Sequence, residues 1–103
     1  MSWSPGIALD ARVEAAVFAR KRGEKVRRYS SDEQSALAVV VEMERQGWKF
    51  IEMPAEDPTG RLGWRCRFER RSPDPKVKDS GEFASLSRAL AICVAALKAV
   101  RAA

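Results

Sequence analysis

The stretch LAICVAALKAV, from Leu90 to Val100, decides the fold of this chain. Large apolar side chains in it and just before it recur every three or four residues, which is the spacing of one buried face of a helix. Alanine fills most of the remaining positions, so the helix can approach another surface closely. We therefore predict a helix that starts near Ser85 or Ser87 and runs to the C-terminus. Its buried stripe is Leu86, Leu90, Val94 and Leu97, and its small residues are Ala89, Ala91, Ala95, Ala96 and Ala99.

Upstream of this helix, the sequence predicts two strands joined by a hairpin loop. The segment from Trp48 to Met53 is aromatic and aliphatic except at Lys49 and Glu52, so we expect it to be covered on both faces. Residues Leu62 to Arg70 alternate between apolar and polar side chains, as a strand with one buried face does. A short edge strand is expected around Glu82 to Ala84. The apolar side of the second strand is Leu62, Trp64, Cys66 and Phe68, and its polar side is Arg65, Arg67 and Glu69.

Two helices are predicted before the strands. The first runs from Ile7 to Arg22 and ends at Gly23. The second covers residues 32 to 46, because Ser31 and Gln34 have the form of a capping box before an apolar run. The face that we expect the second helix to bury consists of Ala36, Leu37, Val40 and Val41.

These elements define the fold class. Their order is helix, helix, strand, strand, an optional third strand, and helix. That order indicates an α+β protein in which a small antiparallel sheet of two or three strands is layered with helices. We expect residues 1–6 to form a flexible N-terminus and residues 7–103 to form a single domain.

The chain has 103 residues and contains no histidine. Without histidine, the Ser-His-Asp and Cys-His arrangements of nucleophilic enzymes and all histidine-metal centres are excluded. Two cysteines alone do not make a convincing zinc site. We therefore expect a protein that is not an enzyme and that holds no metal and no cofactor.

The charge of the chain is unevenly distributed. The formal net charge is +5, with +4 in residues 1–30, −5 in residues 31–57, +4 in residues 58–79 and +2 in residues 80–103. A basic chain attracts polyanions, but this mixed pattern is weaker evidence for nucleic-acid binding than one continuous basic tract.

Several separated motifs together resemble one known family. They are YSSDEQSALAVV (Tyr29 to Val40), the Gly47-Trp48 pair, the pattern Trp64, Cys66, Phe68, and LAICVAALKAV. In this order they are similar to the phage ABA sandwich domain family, whose members are small phage and prophage proteins, mostly without assigned function. The resemblance spans about Ile7 to the C-terminus. It implies a helix-sheet-helix sandwich and an origin on a mobile element, and it implies no catalytic residues.

The chain departs from that family in two places. Family members often carry Gly-Trp near the end of the first helix, whereas this chain has Phe18, Ala19 and Arg20 there. The loop at residues 71–81 is also hard to match. The resemblance to the family is therefore weakest over the first helix.

Two groups of basic residues are candidates for binding a partner. The first is the run RKRGEKVRR, which resembles a nucleic-acid contact but also suits a helix C-terminus followed by a solvated loop. The second lies on the polar side of the second strand, where Arg65 and Arg67 project near Lys49. These side chains can hold phosphates or carboxylates of a partner, or protect an edge strand against aggregation. The first group consists of Arg20, Lys21, Arg22, Lys25, Arg27 and Arg28.

Four further motifs have both a structural and a functional interpretation. Gly60-Arg61-Leu62-Gly63 has the GXXG form of KH domains, but it leads into a strand, which favours a turn. Cys66 and Cys93 fall at apolar positions, as small buried hydrophobes do. The aromatic residues suit a core better than a base-stacking surface, and the carboxylates show no catalytic pairing. The aromatic residues are Trp48, Phe50, Trp64 and Phe68, and the carboxylates are Glu42, Glu44 and Asp57.

The sequence thus predicts a protein of phage or prophage origin, located in the cytoplasm of a bacterial host cell, that acts by binding a macromolecule of the host or the phage. We expect that macromolecule to be a protein, and inhibition of a host defence system suits a protein of this size. The alternative is a nucleic-acid-binding module that uses the Arg20–Arg28 run with Arg65 and Arg67. An enzyme built on carboxylates and arginines is a third class that nothing in the sequence selects. No export signal or membrane span is visible, and we expect both cysteines to be reduced.

Overall fold

The structure, a computed structural model, describes residues 3–18, 26–70 and 79–102. Its helices are α1 (Ile7–Val13), which continues into a π-helical turn (Glu14–Phe18), α2 (Glu33–Arg45) and α3 (Arg88–Ala102). Its strands are β1 (Lys49–Glu56), β2 (Leu62–Arg70) and β3 (Asp79–Ser85), which form one antiparallel sheet in the order β1-β2-β3. The predicted α+β class and element order are confirmed. No helix among the described residues combines the length and apolar character needed to cross a membrane.

Helix α3 lies at the centre of the structure. Every residue from Ala89 to Leu97 is buried, so the helix has neighbours on all of its sides. It packs on β3 and β2 in one direction and on α2, α1 and the π-helical turn in the other. Its first turn is capped by Ser87, whose hydroxyl accepts a hydrogen bond from the Leu90 amide at 3.2 Å. Leu86 lies before this cap and is 45% exposed, so its predicted place in the buried stripe was wrong.

Strand β3 lies directly against the backbone of α3 at Gly81. A β-carbon added to Gly81 would lie 2.1 Å from the Ala99 nitrogen and 2.4 Å from the Ala95 oxygen. Such distances leave no room for a side chain at position 81. On the helix, the two residues at this contact, Ala95 and Ala99, are also small. The alanine-rich surface predicted from the sequence is therefore used for close packing on a strand.

The sheet has one covered face and one open face. Cys66 and Phe68 on β2 are fully buried beneath α3, as the alternation of this strand predicts. Strand β1 was predicted to be covered on both faces, which is wrong, because Lys49 and Met53 are exposed. The described helices pack on one side of the sheet only, so the alternate residues of β1 face away from the core.

The N-cap of helix α2 lies one residue later than predicted. Asp32, rather than Ser31, accepts hydrogen bonds from the Ser35 amide at 3.3 Å and the Ser35 hydroxyl at 2.7 Å. The hydrogen bond from the Ser35 hydroxyl is the main cause that lowers the pKa of the Asp32 carboxyl.

The buried face of α2 differs in part from the prediction, because only Ala36 and Val40 of the four residues assigned to it are buried. Leu37 and Val41 were assigned to it but are 38% and 66% exposed. Val39 and Met43 are fully buried instead, one helical turn apart. The helix is therefore rotated about its axis relative to the predicted orientation.

The first helix is attached through a buried polar cluster. The Asp10 carboxylate accepts hydrogen bonds from the Ser30 amide at 2.8 Å and the Ser30 hydroxyl at 2.6 Å. The Tyr29 hydroxyl donates to Glu14, and its ring stacks on Phe18 at 5.1 Å between centroids. The helix changes to π geometry over Glu14–Phe18, and the rest of its predicted span, residues 19–22 with Gly23, lies outside the described residues.

One arginine connects the starts of α2 and α3 to the sheet. Arg88, the first residue of α3, contacts Glu33 of α2 at 2.7 Å and Glu52 of β1 at 2.9 Å. Its guanidinium also lies 5.4 Å from the ring centroid of Trp64 on β2. These contacts hold the N-terminal end of α3 against the sheet and against the start of α2.

We predict that Gly81→Ala destabilises the protein by about 3 kcal/mol or more, because the new methyl group meets backbone atoms that cannot move aside. Urea unfolding followed by circular dichroism measures this as a fall in the midpoint. The neighbouring Ser80→Ala variant, on the open side of β3, is the matched control and should unfold near the wild-type midpoint. Equal midpoints for Gly81→Ala and the wild type would show that α3 and β3 are not in close contact.

Candidate functional site

The face of the sheet that points away from α3 carries the candidate site, and we name it the open face. In the register of the sheet, Lys49 is opposite Glu69, Ile51 is opposite Arg67, and Met53 is opposite Arg65. The structure therefore places three predicted site residues, Lys49, Arg65 and Arg67, on one surface. The open face consists of Lys49, Ile51, Met53 and Ala55 on β1, Gly63, Arg65, Arg67 and Glu69 on β2, and Ser80, Glu82 and Ala84 on β3.

The basic residues of the open face have acidic neighbours. The Arg65 guanidinium lies 3.7 Å from the Glu82 carboxylate across the β2-β3 pair. Arg67 Nε lies 3.1 Å from Glu69 Oε2, although this nitrogen makes no hydrogen bond. Exposed pairs of this kind contribute about 1 kcal/mol or less to stability. Their main consequence is that the positive charge of the open face is largely compensated.

Apolar side chains lie beside these charges. Met53 is 47% exposed, Ile51 is half-buried, and Ala84 is exposed on the opposite edge of the sheet. Methionine and arginine are enriched at the centres of protein-protein interfaces. The open face thus presents an apolar row on β1 next to a row of ion pairs on β2 and β3.

The other basic candidates lie elsewhere. Arg27 and Arg28 are exposed in the segment before α2, and the adjacent Tyr29 and Ser30 bond to the first helix. They therefore belong to the helical side of α3, opposite the open face. The described part of the structure does not bring Arg27 and Arg28 together with Arg65 and Arg67. Arg20, Lys21, Arg22 and Lys25 lie outside the described residues.

Most of the aromatic candidates are core residues. Trp48 and Phe68 are buried, and Phe50 is half-buried against Phe68 at 5.0 Å between centroids. The Arg70 guanidinium lies 4.4 Å from the Trp48 ring centroid, so one face of that ring is covered.

Trp64 was assigned to the core but is 38% exposed. Together with Leu62, which is 71% exposed, it lies on the covered side of β2 but near the start of α3 at Arg88, where the helical cover ends. The sequence signal that could have predicted this exposure is the Ser87 cap. It marks the first turn of α3, and the part of β2 that extends past this turn is not covered by the helix.

The remaining motifs serve local structure. Gly60 has a φ of +85° in the turn before β2, so the turn interpretation of GXXG is confirmed. Asp57 Oδ1 accepts hydrogen bonds from the Thr59 amide and hydroxyl and from the Arg61 amide. Glu42 forms a bidentate pair with Arg45, and Glu44 is exposed on the same helix.

Within the described ranges, no group of three or more acidic residues or cysteines could hold a metal ion.

Both cysteines are buried free thiols, as predicted. Burial is the main cause that raises the pKa of Cys66 to about 12, and the negative charge of Glu52 adds to the effect. Burial likewise raises the pKa of Cys93 to about 12, with a further contribution from Asp10. Thiols that keep their protons at neutral pH are poor nucleophiles and poor metal ligands.

Comparison of the chain with protein-family models, with curated proteins and with solved structures gives no match in any of the three. The membership in the phage ABA sandwich family therefore stays a prediction from the sequence motifs. The proposal on how the chain binds a partner therefore rests on the geometry of the open face.

The buried thiols predict a loss of stability in alkali. A thiol has a pKa of 9.0 in the unfolded chain and about 12 in the fold, so between these values the folded chain binds more protons than the unfolded chain. The free energy of unfolding should therefore fall as the pH rises from 8 to 10, by about 1 kcal/mol for each cysteine. Urea unfolding at both pH values measures the fall. The Cys66→Ala/Cys93→Ala variant should lose less stability than the wild type over this interval, and an equal loss would contradict the assignment.

Proposed function

We propose that this chain is a non-enzymatic accessory protein of phage or prophage origin that acts by binding another protein through the open face. The proposed partner is a protein of the host or the phage in the bacterial cytoplasm. The proposed consequence is inhibition of a host defence system by occlusion of the surface to which the chain binds. The phage origin rests on the motif resemblance, and the mode of binding rests on the open face.

The observation that carries the proposal is the composition of the open face. A sheet face that only needed solvation would be expected to carry polar side chains at alternate positions. Here Ile51 and Met53 interrupt that pattern, and the charges beside them are already paired within the face. A partner can cover this surface without having to neutralise several isolated charges, whose burial would be costly.

The alternative, a nucleic-acid-binding module, is less well supported. Binding to a phosphate backbone needs several uncompensated cations, since its affinity comes from the release of counterions. Arg65 and Arg67 each have a carboxylate within 4 Å, at 3.7 Å and 3.1 Å respectively. At the open face we therefore favour a protein partner over a nucleic acid.

We expect immobilised wild-type protein to capture a specific partner from lysates of the bacterial host, and Met53→Glu to reduce that capture by about tenfold or more. A charge at the centre of an apolar contact is costly to desolvate, and the effect should reach that of an interface hot spot. Quantitative mass spectrometry of the captured proteins gives the readout.

Val41→Glu is the matched control for this experiment. It places the same charge at a residue that is 66% exposed on α2, away from the open face. The proposal requires capture by Val41→Glu at the wild-type level, with both variants folded as judged by circular dichroism. Equal capture by Met53→Glu and the wild type would overturn it.

A second measurement decides between the two classes of partner. Fluorescence anisotropy with labelled duplex and single-stranded DNA and RNA, at about 50 mM salt and above, should show no binding that weakens steeply with salt. Tight, salt-dependent binding that is lost on Arg65→Ala/Arg67→Ala would instead establish the nucleic-acid alternative.

A further inference from the structure

Strand β3 has a free edge. In the described part of the chain the sheet order is β1-β2-β3, so β3 has a neighbouring strand on one side only. Residues along an antiparallel pair alternate, because one exchanges main-chain hydrogen bonds with the residue opposite it and the next directs its N–H and C=O to the other side. The phase of this alternation therefore determines which groups of β3 reach the free edge.

The hairpin between β1 and β2 fixes that phase. The Asp57 amide donates a hydrogen bond at 2.9 Å to the carbonyl of Arg61, which is the residue opposite it when the register of the two strands is continued into the loop. Counting back from this pair in steps of two, Met53 exchanges hydrogen bonds with Arg65. The residues of β2 on either side of Arg65 therefore bond to β3.

On β3, the same alternation directs Glu82 and Ala84 to the free edge. Cys66 of β2 exchanges hydrogen bonds with Phe83, its partner in the register, so the residues before and after Phe83 point their N–H and C=O groups outward. The position of Lys98 on α3 agrees with this phase, because its ammonium group donates a hydrogen bond at 3.4 Å to the Glu82 carbonyl.

The other edge of the sheet, on β1, is interrupted at its middle. The residues whose main-chain groups point outward there are Phe50, Glu52, Pro54 and Glu56. Proline has no N–H, so Pro54 breaks the row of donors and protects this edge, as prolines do on natural edge strands. Strand β3 contains no proline. Of the two edges, that of β3 presents the uninterrupted row of donors and acceptors.

Lys98 supplies the charge at the β3 edge. It is exposed, and its ammonium group lies 5.1 Å from the ring centroid of Phe83 on the covered side of the sheet. On the open side, Glu82 is already paired with Arg65 at 3.7 Å. A lysine on an edge disfavours pairing with apolar strands, whereas a strand with a carboxylate at the matching position satisfies it.

We propose that the free edge of β3 binds an extended segment of the partner protein as a fourth strand, with an aspartate or glutamate of that segment paired to Lys98. A row of main-chain donors and acceptors is complementary to another strand, and strand addition to a sheet edge is a recurring mode of peptide recognition. On binding, the Glu82 carbonyl accepts an amide of the segment, and the ammonium group of Lys98 moves to the carboxylate. The inference rests on the proposed function, since it names the segment by which the partner docks beside the open face.

A second copy of this chain fits the edge less well. Pairing of two β3 strands would place them about 4.8 Å apart. Each β3 lies directly against its own α3 at Gly81, where an added β-carbon would be 2.1 Å from the Ala99 nitrogen. Packed helices need about 8–10 Å between their axes. Two α3 helices above neighbouring strands would therefore overlap, whereas an extended segment brings no helix of its own.

The test uses the full chain, labelled with ¹⁵N, and the peptide acetyl-Thr-Val-Glu-Val-Thr-amide, which has its valines on one side of a strand and its glutamate on the other. We expect the amide signals of Glu82 and Ala84 to shift in an NMR titration, with a Kd on the order of 1 mM as befits a fragment of an interface. Hydrogen exchange at these two amides should slow when the peptide is bound. The peptide with lysine in place of glutamate should bind more weakly by about two- to fivefold, because Lys98 repels it.

Two pairs of variants test the two parts of the inference. Ala84→Pro removes an outward N–H but no hydrogen bond to β2, so it should abolish the shift at Glu82, whereas Ala84→Val keeps the N–H and should bind the peptide like the wild type. Lys98→Gln should remove the preference for the glutamate peptide, whereas Arg28→Gln, at an exposed residue before α2, should retain it.

Three results would overturn the inference. They are wild-type binding by Ala84→Pro, equal affinity of the wild type for both peptides, and no shift at Glu82 with either peptide. Lys98 is exposed on α3, outside the strand, so its replacement tests the inference even if the proline destabilises β3.

The outcome is separable from that of the proposed function. A partner whose capture is lost on Met53→Glu but retained by Ala84→Pro would keep the open face as the site and remove the strand edge from it. Peptide binding at Glu82 that is lost in Ala84→Pro, together with partner capture that is insensitive to Met53→Glu, would support the strand edge and overturn the proposed use of the open face.

Discussion

The close approach of α3 to β3 is the contact on which the rest of the structure depends. At Gly81 the strand lies against the backbone of the helix near Ala95 and Ala99, a separation that no larger residue permits. Because α3 is held so close to the sheet on one side, α1 and α2 can bury its other side, and the helix becomes the shared core of both layers. A protein of this size has room for a single core, and in the described part of the chain this one helix supplies ten of the 21 buried apolar residues.

This arrangement also determines where function can lie. The described helices gather on one side of the sheet and leave its other side uncovered, which is the side on which we place the proposed site. The open face combines Ile51 and Met53 with arginines that are already paired, and it is bounded on one side by the free edge of β3. The buried cysteines and the polar cluster around Asp10 serve the core and the attachment of α1 instead.

The sequence predicted those features that depend on local pattern. The alternation of β2 gave its bounds and its two faces, and the alanines of α3 indicated close packing. The rotation of α2 was not predictable, because Val39, Val40 and Val41 are consecutive and allow two apolar faces. The exposure of Trp64 depends on where α3 begins above it, and the Arg65–Glu82 pair depends on the register of β3. The exposure of Trp64 and the Arg65–Glu82 pair both depend on tertiary contacts, which a local sequence pattern does not predict.

Native-state amide hydrogen exchange, resolved by segment, tests the central role of α3 most directly. If the contact between α3 and β3 organises the fold, amides in α3 and in β2 should exchange last, by global unfolding, while those in α1 exchange earlier through local opening. Exchange in α3 as early as in α1, with slow exchange confined to α2 or β1, would contradict this account.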